Sequence, residues 1–99
     1  MMARREIMSV LSEGEENAIK VEQLSKILNM NKREITICVS KLRQNGEVIC
    51  SSNQGYFLPS SVDDVKHFYR QMTSRQREIE KAKQSAKRYI EAHGETIDS

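Results

Sequence analysis

The residues best suited to recognise a ligand lie between Lys32 and Gln44, where basic, amide, hydroxyl and branched apolar side chains recur at helical spacing. Arginine can read guanine, glutamine can read adenine, and threonine or isoleucine can contact the methyl group of thymine. On one face of a helix, such side chains could reach base edges in the major groove of DNA. The residues predicted to do so are Arg33, Thr36, Ile37, Ser40, Lys41 and Gln44. The alternative is that Ile37 packs against a neighbouring element and the others form a solvated face.

Basic residues in and near this stretch are candidates for contacts with phosphate groups, which attract cations whatever the base sequence. They are Lys26, Lys32, Lys41 and Arg43. The segment Ser52–Gln54 carries neither lysine nor arginine. We therefore expect it to form a turn, although Asn53 and Gln54 could hydrogen-bond to a phosphate or a sugar.

Histidine and cysteine are poorly placed for catalysis or for holding a metal. His67 and His93 are far apart, and neither belongs to a ligand spacing such as His-x-x-x-His. Cys38 and Cys50 have no second pair nearby, which is typical of reduced thiols that act as small core side chains. The glycines are isolated, so no glycine-rich phosphate loop is present. We predict no enzyme, no cofactor and no metal site.

Length and composition favour one compact unit. The chain has 99 residues, of which 37% are hydrophobic and 30% charged, too few for two independent cores. The net charge is only +2, yet Lys66–Arg88 holds eight basic residues against two acidic ones. That basic segment could be a solvated helix, a second phosphate-binding surface, or a face for an acidic partner. No apolar run could span a bilayer or serve as a signal peptide, which predicts an intracellular protein.

Apolar periodicity predicts two short helices before the candidate stretch. In Ala3–Ser12 the apolar residues fall at i, i+3 and i+4, and Gly14 follows as a terminator. Residues 18–21 have the composition of a weak strand. A second helix is predicted over Glu22–Asn29, followed by a tight turn through Asn31. The residues predicted to face the core from these two helices are Ile7, Val10, Leu11, Leu24, Ile27 and Leu28.

A third helix is predicted to begin near Lys32, because Asn31 and Glu34 have the spacing of a capping box. It should end at Asn45-Gly46. Its core face is predicted to consist of Ile35, Cys38, Val39 and Leu42. Two strand-like runs follow, Glu47–Ser51 and Tyr56–Leu58, joined by a turn and closed by Pro59, which predicts a β-hairpin.

The remaining chain predicts one long helix. Ser61 and Asp64 have capping spacing, and neither proline nor glycine occurs between Ser60 and Gly94. About thirty helical residues would extend ~45 Å, too far for all of them to touch one small core. Apolar residues recur at heptad spacing, although Arg75 and His93 interrupt the pattern. We predict a homodimer, most simply with two-fold symmetry. Its predicted interface residues are Met72, Ile79, Ala82, Ala86, Tyr89 and Ile90.

This order of elements is typical of a winged helix-turn-helix domain with a C-terminal extension. The segments that carry a resemblance are Lys41-Leu42-Arg43-Gln44-Asn45-Gly46, Val48-Ile49-Cys50-Ser51-Ser52 and Gly55-Tyr56-Phe57-Leu58. They resemble the winged-helix domain at the front of biotin-operon repressors, and short winged-helix proteins encoded by phages of Gram-positive bacteria. The resemblance extends roughly over Ala3–Tyr89. It implies a fold more specifically than a function, because these segments shape the end of the third helix and the hairpin.

We therefore predict a mainly α protein with a small β-hairpin. Residues 1–60 are predicted to form a winged helix-turn-helix, residues 61–93 a long C-terminal helix, and residues 94–99 a flexible tail. The predicted function is sequence-specific binding of double-stranded DNA by a dimer, as a phage or prophage transcriptional regulator in the cytoplasm of a bacterial host cell. The alternative is a protein-interaction adaptor of a replication or packaging assembly, which would use the winged-helix module and the basic helix. An exposed apolar patch around Ile37 would favour the adaptor, and a continuous positive strip would favour DNA.

Overall fold

The structure, a computed structural model, describes the backbone of residues 2–96 and the side chains of residues 6–96. Its elements are α1 (Met2–Val10), a short 3-10 turn (Glu15–Asn17), α2 (Val21–Leu28), α3 (Lys32–Gln44), β1 (Cys50–Ser52), β2 (Gly55–Phe57) and α4 (Val62–Ala92). The prediction of a mainly helical chain with a small hairpin and a long C-terminal helix is confirmed. The chain divides into two compact units, the first ending at Phe68 and the second beginning at Tyr69, within α4. None of the described helices has the length and apolar character needed to cross a membrane.

The core of the first unit lies where α1, α2 and α3 pack against one another. Its buried side chains are Ile7, Leu11, Leu24, Ile35, Val39, Leu42 and Ile49. The predicted core faces of α1 and α3 are confirmed, with Val10 and Cys38 partly buried against this cluster. Cys50 is buried, and both cysteines are free thiols.

The predicted core face of α2 is wrong at one position, because Ile27 is 58% exposed. The helix begins at Val21, one residue earlier than predicted, and Val21 packs against the core with Leu24 and Leu28. At about 100° per residue, Ile27 lies about 90° from the centre of that apolar stripe. Val21 thus completes the stripe and leaves Ile27 in solvent.

The connection between α2 and α3 is the tight turn that the sequence predicted. Asn29 ends α2 in the left-handed conformation, with φ of 52°. The Ser25 hydroxyl donates a hydrogen bond to the carbonyl of Met30 across the turn. The predicted capping box is confirmed: the Glu34 amide donates to Asn31 Oδ1 at 2.8 Å, and the Asn31 amide donates to Glu34 Oε1 at 3.5 Å. These bonds fix the start of α3 at Lys32.

The hairpin is shorter than predicted on its first strand. Strands β1 and β2 are antiparallel with Cys50 opposite Phe57 and Ser52 opposite Gly55, so that residues 53 and 54 form the turn. Residues 47–49, expected in the strand, lie outside it. The cause is the helix end: the Glu47 amide donates to the carbonyl of Leu42 at 3.0 Å. This bond keeps the chain at the C-terminus of α3 for several residues.

The predicted strand over residues 18–21 is reduced to a single bridge between Ile19 and Tyr56. Each of these residues donates its amide to the carbonyl of the other at 2.9 Å. At the adjacent Gly55, φ is 125°, and an added Cβ would lie 2.4 Å from the backbone of Ile19. Glycine is therefore required for this close approach. The hairpin is anchored to the segment between α1 and α2.

The long helix α4 has 31 residues, in agreement with the predicted length. At its start, the amide and hydroxyl of Ser60 each donate to Asp64 Oδ2 at 2.8 Å, and the Asp64 amide donates to Ser61 Oγ at 3.4 Å. The hydrogen bonds from Ser60 lower the pKa of Asp64 below its usual value. Of the predicted tail over residues 94–99, residues 97–99 lie outside the described part of the chain.

Candidate nucleic-acid interface

Helix α3 presents one continuous exposed face opposite its buried one. At about 100° per residue, the predicted reading residues of α3 fall within an arc of about 140° whose centre lies opposite the buried Ile35, Val39 and Leu42. Every one of them is exposed, from Arg33 to Gln44. Along the axis this face is about 16 Å long, which suits an element lying in a major groove.

The basic groups on this face are available to an external ligand. Arg33 and Lys41 are exposed, and among the described residues neither takes part in an ion pair or a side-chain hydrogen bond. Across all of α3 there are four basic residues and one acidic residue, Glu34, which serves in the capping box. The face is therefore positively charged, although the chain as a whole is nearly neutral.

The groups at the start of α3 are partly engaged within the chain. Lys32 Nζ lies 3.3 Å from Glu22 Oε2, with both side chains more than half exposed. A backbone hydrogen bond, and then Lys32, lower the pKa of Glu22. Such an exposed pair is weak because water screens it, so a phosphate could compete for Lys32. The Thr36 hydroxyl donates to the carbonyl of Lys32 at 3.0 Å, which leaves its methyl group and an oxygen lone pair facing outward.

Ile37 is the apolar residue within this polar face, and 43% of its surface is exposed. The sequence left open whether Ile37 contacts a ligand or packs against a neighbouring element. The exposure leaves much of the side chain uncovered, so an apolar surface is presented beside Arg33 and Lys41 on the same face.

Arg43 occupies a different place from the one predicted for a phosphate contact. Its Nε and Nη2 donate to the carbonyl of Ile49 at 2.9 and 2.7 Å, and Nη2 also lies 3.3 Å from Ser51 Oγ. The guanidinium carbon stands 4.8 Å from the ring centroid of Phe68 and 6.0 Å from that of Tyr56. We correct the prediction accordingly: Arg43 links α3 to the hairpin and to the start of α4.

Sequence reasoning missed this role because Arg43 stands beside basic residues that face solvent. A signal was present in the spacing. At about 100° per residue, Arg43 lies about 90° from the centre of the exposed face, at the edge of the buried stripe. A basic residue at such an edge, shortly before aromatic residues in a hairpin, often stacks on a ring instead of projecting into solvent.

The hairpin turn offers little to a phosphate backbone. Asn53 and Gln54 are exposed, and the Gln54 amide donates to Ser52 Oγ at 3.1 Å. This arrangement agrees with the expectation that these residues make the turn. Their amide side chains remain the polar groups that the turn presents.

In the second unit, α4 carries an apolar seam on one side. Met72 and Ile90 are half-buried, whereas Ile79 and Tyr89 are 55% and 68% exposed. Ala82 and Ala86 are exposed on the same side. At about 100° per residue, the seam occupies an arc of about 100°. The predicted interface residues thus share one face of α4, which the described residues leave largely uncovered.

A basic stripe lies on the other side of α4. It is formed by Arg70, Arg77, Lys81 and Arg88, whose mean direction is about 160° from that of the seam. In the described residues these groups form no ion pair, and the nearby Glu80 accepts a hydrogen bond from Gln84 instead. The apolar seam and this basic stripe thus lie on nearly opposite sides of α4, although Arg75 falls within the arc of the seam.

The described residues contain no cluster of three or more histidine, cysteine or acidic side chains that could hold a metal. His93 stacks on Tyr89 with ring centroids 4.3 Å apart, and its Nδ1 lies 2.8 Å from the Tyr89 carbonyl. Burial raises the pKa of the Cys50 thiol, and Asp64 raises it further, so this thiol is a poor nucleophile.

Comparison of the chain with protein-family models, with curated proteins and with solved structures finds no match.

Proposed function

We propose that the chain is a small winged-helix protein that binds double-stranded DNA, with α3 as the reading helix. The residues proposed to contact DNA are Lys32, Arg33, Thr36, Ile37, Ser40, Lys41 and Gln44. Arg43 is left out of this set because its guanidinium is bonded to Ile49 and stacked on Phe68.

The arrangement of elements supports the winged-helix interpretation. Helices α2 and α3 are joined by a three-residue turn with Asn29 in the left-handed conformation, as in a helix-turn-helix. A two-stranded hairpin follows, and β2 also bridges to Ile19 between α1 and α2. In this interpretation α3 is the recognition helix and the hairpin is the wing.

The observation that carries the proposal is the exposed face of α3, on which the cations Arg33 and Lys41 stand among hydrogen-bonding side chains and Ile37. Among the described residues no acidic group forms an ion pair with Arg33 or Lys41, so both charges are available to a phosphate or a base. Mixed chemistry of this kind fits a base edge and a thymine methyl in the major groove.

The proposal includes a homodimer formed through the seam of α4. Two copies would present two α3 helices, and a two-fold dimer would match a palindromic site with half-sites about one helical turn apart. A DNA reader of this size fits a phage or prophage transcriptional regulator acting in the cytoplasm of a bacterial host.

The test is a titration of labelled random-sequence duplexes, followed by selection of the tightest binders, at low and near-physiological salt. We expect affinity that falls with salt and retains a sequence preference. Arg33→Ala should weaken binding to the selected site by about 1–3 kcal/mol, roughly five- to 150-fold, and relax the preference. Arg33→Lys should keep most of the salt dependence and lose the preference, because lysine lacks the guanidinium fork.

A matched control is Arg70→Ala, which removes the same charge from α4. It should alter the salt dependence slightly and leave the preferred sequence unchanged. Absence of binding at low salt would refute the proposal, as would equal effects of the Arg33 and Arg70 variants on sequence preference.

A protein-interaction adaptor is the second candidate. The observation that favours it is that the first unit exposes four branched apolar side chains, Ile27, Ile37, Val48 and Val62, at 58%, 43%, 41% and 70%. Together with a turn that lacks cations, these residues would suit a protein partner. Ile27→Ser would impair an adaptor and leave DNA binding by α3 intact.

A further inference from the structure

We infer that two copies of the chain pair antiparallel through α4, with Ile79 of each copy opposite Ala82 of the other. This inference rests on the proposed dimer and adds its orientation and register. In this inference a second copy of α4, and not an unrelated protein, covers the apolar seam.

The seam follows a heptad pattern with two core positions. Met72, Ile79 and Ala86 occupy the first position, and Arg75, Ala82 and Tyr89 occupy the second. All of them lie in the second unit, and Met72 alone is as much as half-buried within the chain. A partner must cover them if they are to leave water.

A parallel pair would set every core residue against its own copy. Arg75 would then meet Arg75, and two guanidinium groups would be forced together in the middle of the seam without an acid between them. Ala82 and Ala86 would also meet only themselves, next to layers of the much larger Ile79 and Tyr89. Like charges brought together with loss of water are costly, so the sequence disfavours this orientation.

An antiparallel pair sets the first core position against the second. When Ile79 faces Ala82, Arg75 faces Ala86 and Met72 faces Tyr89. Large side chains then meet small ones in two of these layers, as close packing requires. The Arg75 stem can lie on the methyl group of Ala86 while its guanidinium reaches water at the edge.

The residues beside the core support the same register. Tyr69 comes opposite Ile90 of the second copy, and Gln76 comes opposite Lys83. This accounts for Tyr69, an aromatic residue that is 72% exposed within the chain. On the other edge Glu78 comes opposite Ser85. No like charges face each other on either edge.

The two neighbouring antiparallel registers are disfavoured by charge. A shift of one heptad in one direction sets Lys83 against Lys83 of the second copy. A shift in the other direction sets Glu78 against Glu78. Each of these contacts between like charges is weak, but it lies at the two-fold axis and disfavours the register in which it occurs.

The experiment is cysteine cross-linking of the full chain in a Cys38→Ser, Cys50→Ala background. Met72→Cys and Tyr89→Cys proteins are prepared separately, one with a size tag, and are oxidised alone and after mixing. In the proposed register the introduced thiol at position 72 of one copy lies beside the introduced thiol at position 89 of the other, whereas identical positions are about 25 Å apart. We expect a disulfide-linked product in the mixture and none in either protein alone.

Arg77→Cys mixed with Gln84→Cys is the matched control, because both positions face away from the seam, and it should remain unlinked. Light scattering of the reduced samples distinguishes failure of the dimer proposal from failure of the proposed orientation or register. A single-chain mass would refute the proposed dimer itself. A dimer mass with self-linked Met72→Cys, or with no link in the mixture, would overturn the orientation or register and leave the dimer standing.

Discussion

Two arginines in the same helix lie in different environments, and the difference follows from their angular positions. Arg33 lies on the exposed face of α3 with its guanidinium in solvent, whereas the guanidinium of Arg43 is held by the carbonyl of Ile49 and by an aromatic ring. A charge-assisted, forked hydrogen bond to a backbone carbonyl is stronger than one between neutral groups. Arg43 therefore stabilises the joint between α3 and the hairpin.

Arg43→Ala is expected to lower the free energy of unfolding by about 2 kcal/mol, because it leaves a buried carbonyl without its donor and removes the stacking. Arg43→Lys should recover only part of this loss, since lysine has no planar fork. Urea unfolding measures the effect. Arg33→Ala is the control and should change stability by less than about 0.5 kcal/mol. Equal losses for both alanine variants would contradict the assignment.

The two thiols should differ in reactivity. Cys50 is 1% exposed and its pKa is raised by burial, whereas Cys38 is half-buried at the edge of the core. We expect a disulfide reagent to modify Cys38 rapidly and Cys50 only as fast as the first unit opens. In Cys38→Ser protein the rapid phase should vanish. A rapid phase that persists in that variant would show that Cys50 is reached in the folded state.

At the scale of elements, helix boundaries were predictable wherever the cap is encoded by local side chains. Asn31 and Glu34 define the start of α3 within four residues of sequence, and the structure contains both bonds of the capping box. The start of the first strand is not marked by such a side-chain cap, and this strand was predicted too long. Its shortening depends on the Glu47–Leu42 backbone bond, which ends α3, and on the bonds from Arg43 to Ile49, neither of which strand propensity reports.

The two hydrogen bonds of the α3 capping box should contribute unequally to stability. Asn31→Ala should lower stability by about 1 kcal/mol, because it removes the acceptor of the 2.8 Å bond from the Glu34 amide. Glu34→Ala should cost less, because the reciprocal bond is 3.5 Å long. Gln44→Ala, at an exposed position of the same helix, serves as the control in thermal unfolding. A larger loss for Glu34→Ala than for Asn31→Ala would contradict this ranking.

For the molecule as a whole, the heptad pattern predicted an apolar seam that the described residues leave largely uncovered, and the dimer remains a prediction. Ile79→Lys should shift the oligomer toward single chains over a dilution series, because it places a charge in the seam without disturbing the core of the first unit. Light scattering of the full chain measures this. Gln84→Lys adds the same charge on the opposite side and should leave the mass unchanged. A dimer mass for Ile79→Lys would refute the seam.

The sequence located most of the candidate site, because exposure on α3 follows from the positions of Ile35, Val39 and Leu42. It could not locate Arg43 or Ile27 correctly. Whether a residue at the edge of a helical stripe turns inward depends on what the neighbouring element offers there. For Arg43 that was the carbonyl of Ile49, and for Ile27 the space was already filled by Val21.

The contact between Gly55 and the backbone of Ile19 has an evolutionary consequence. Any side chain at position 55 would collide with that backbone, whereas a Cβ at Gly46 would meet nothing within 4 Å. Among descendants of this chain, glycine at 55 should be retained even where α3 diverges toward other ligands. Position 46 has room for a side chain, but its φ of 98° strains residues other than glycine, so asparagine should be the first replacement there. A fixed glycine beside a variable turn at 53 and 54 would then mark common ancestry in chains that share little else.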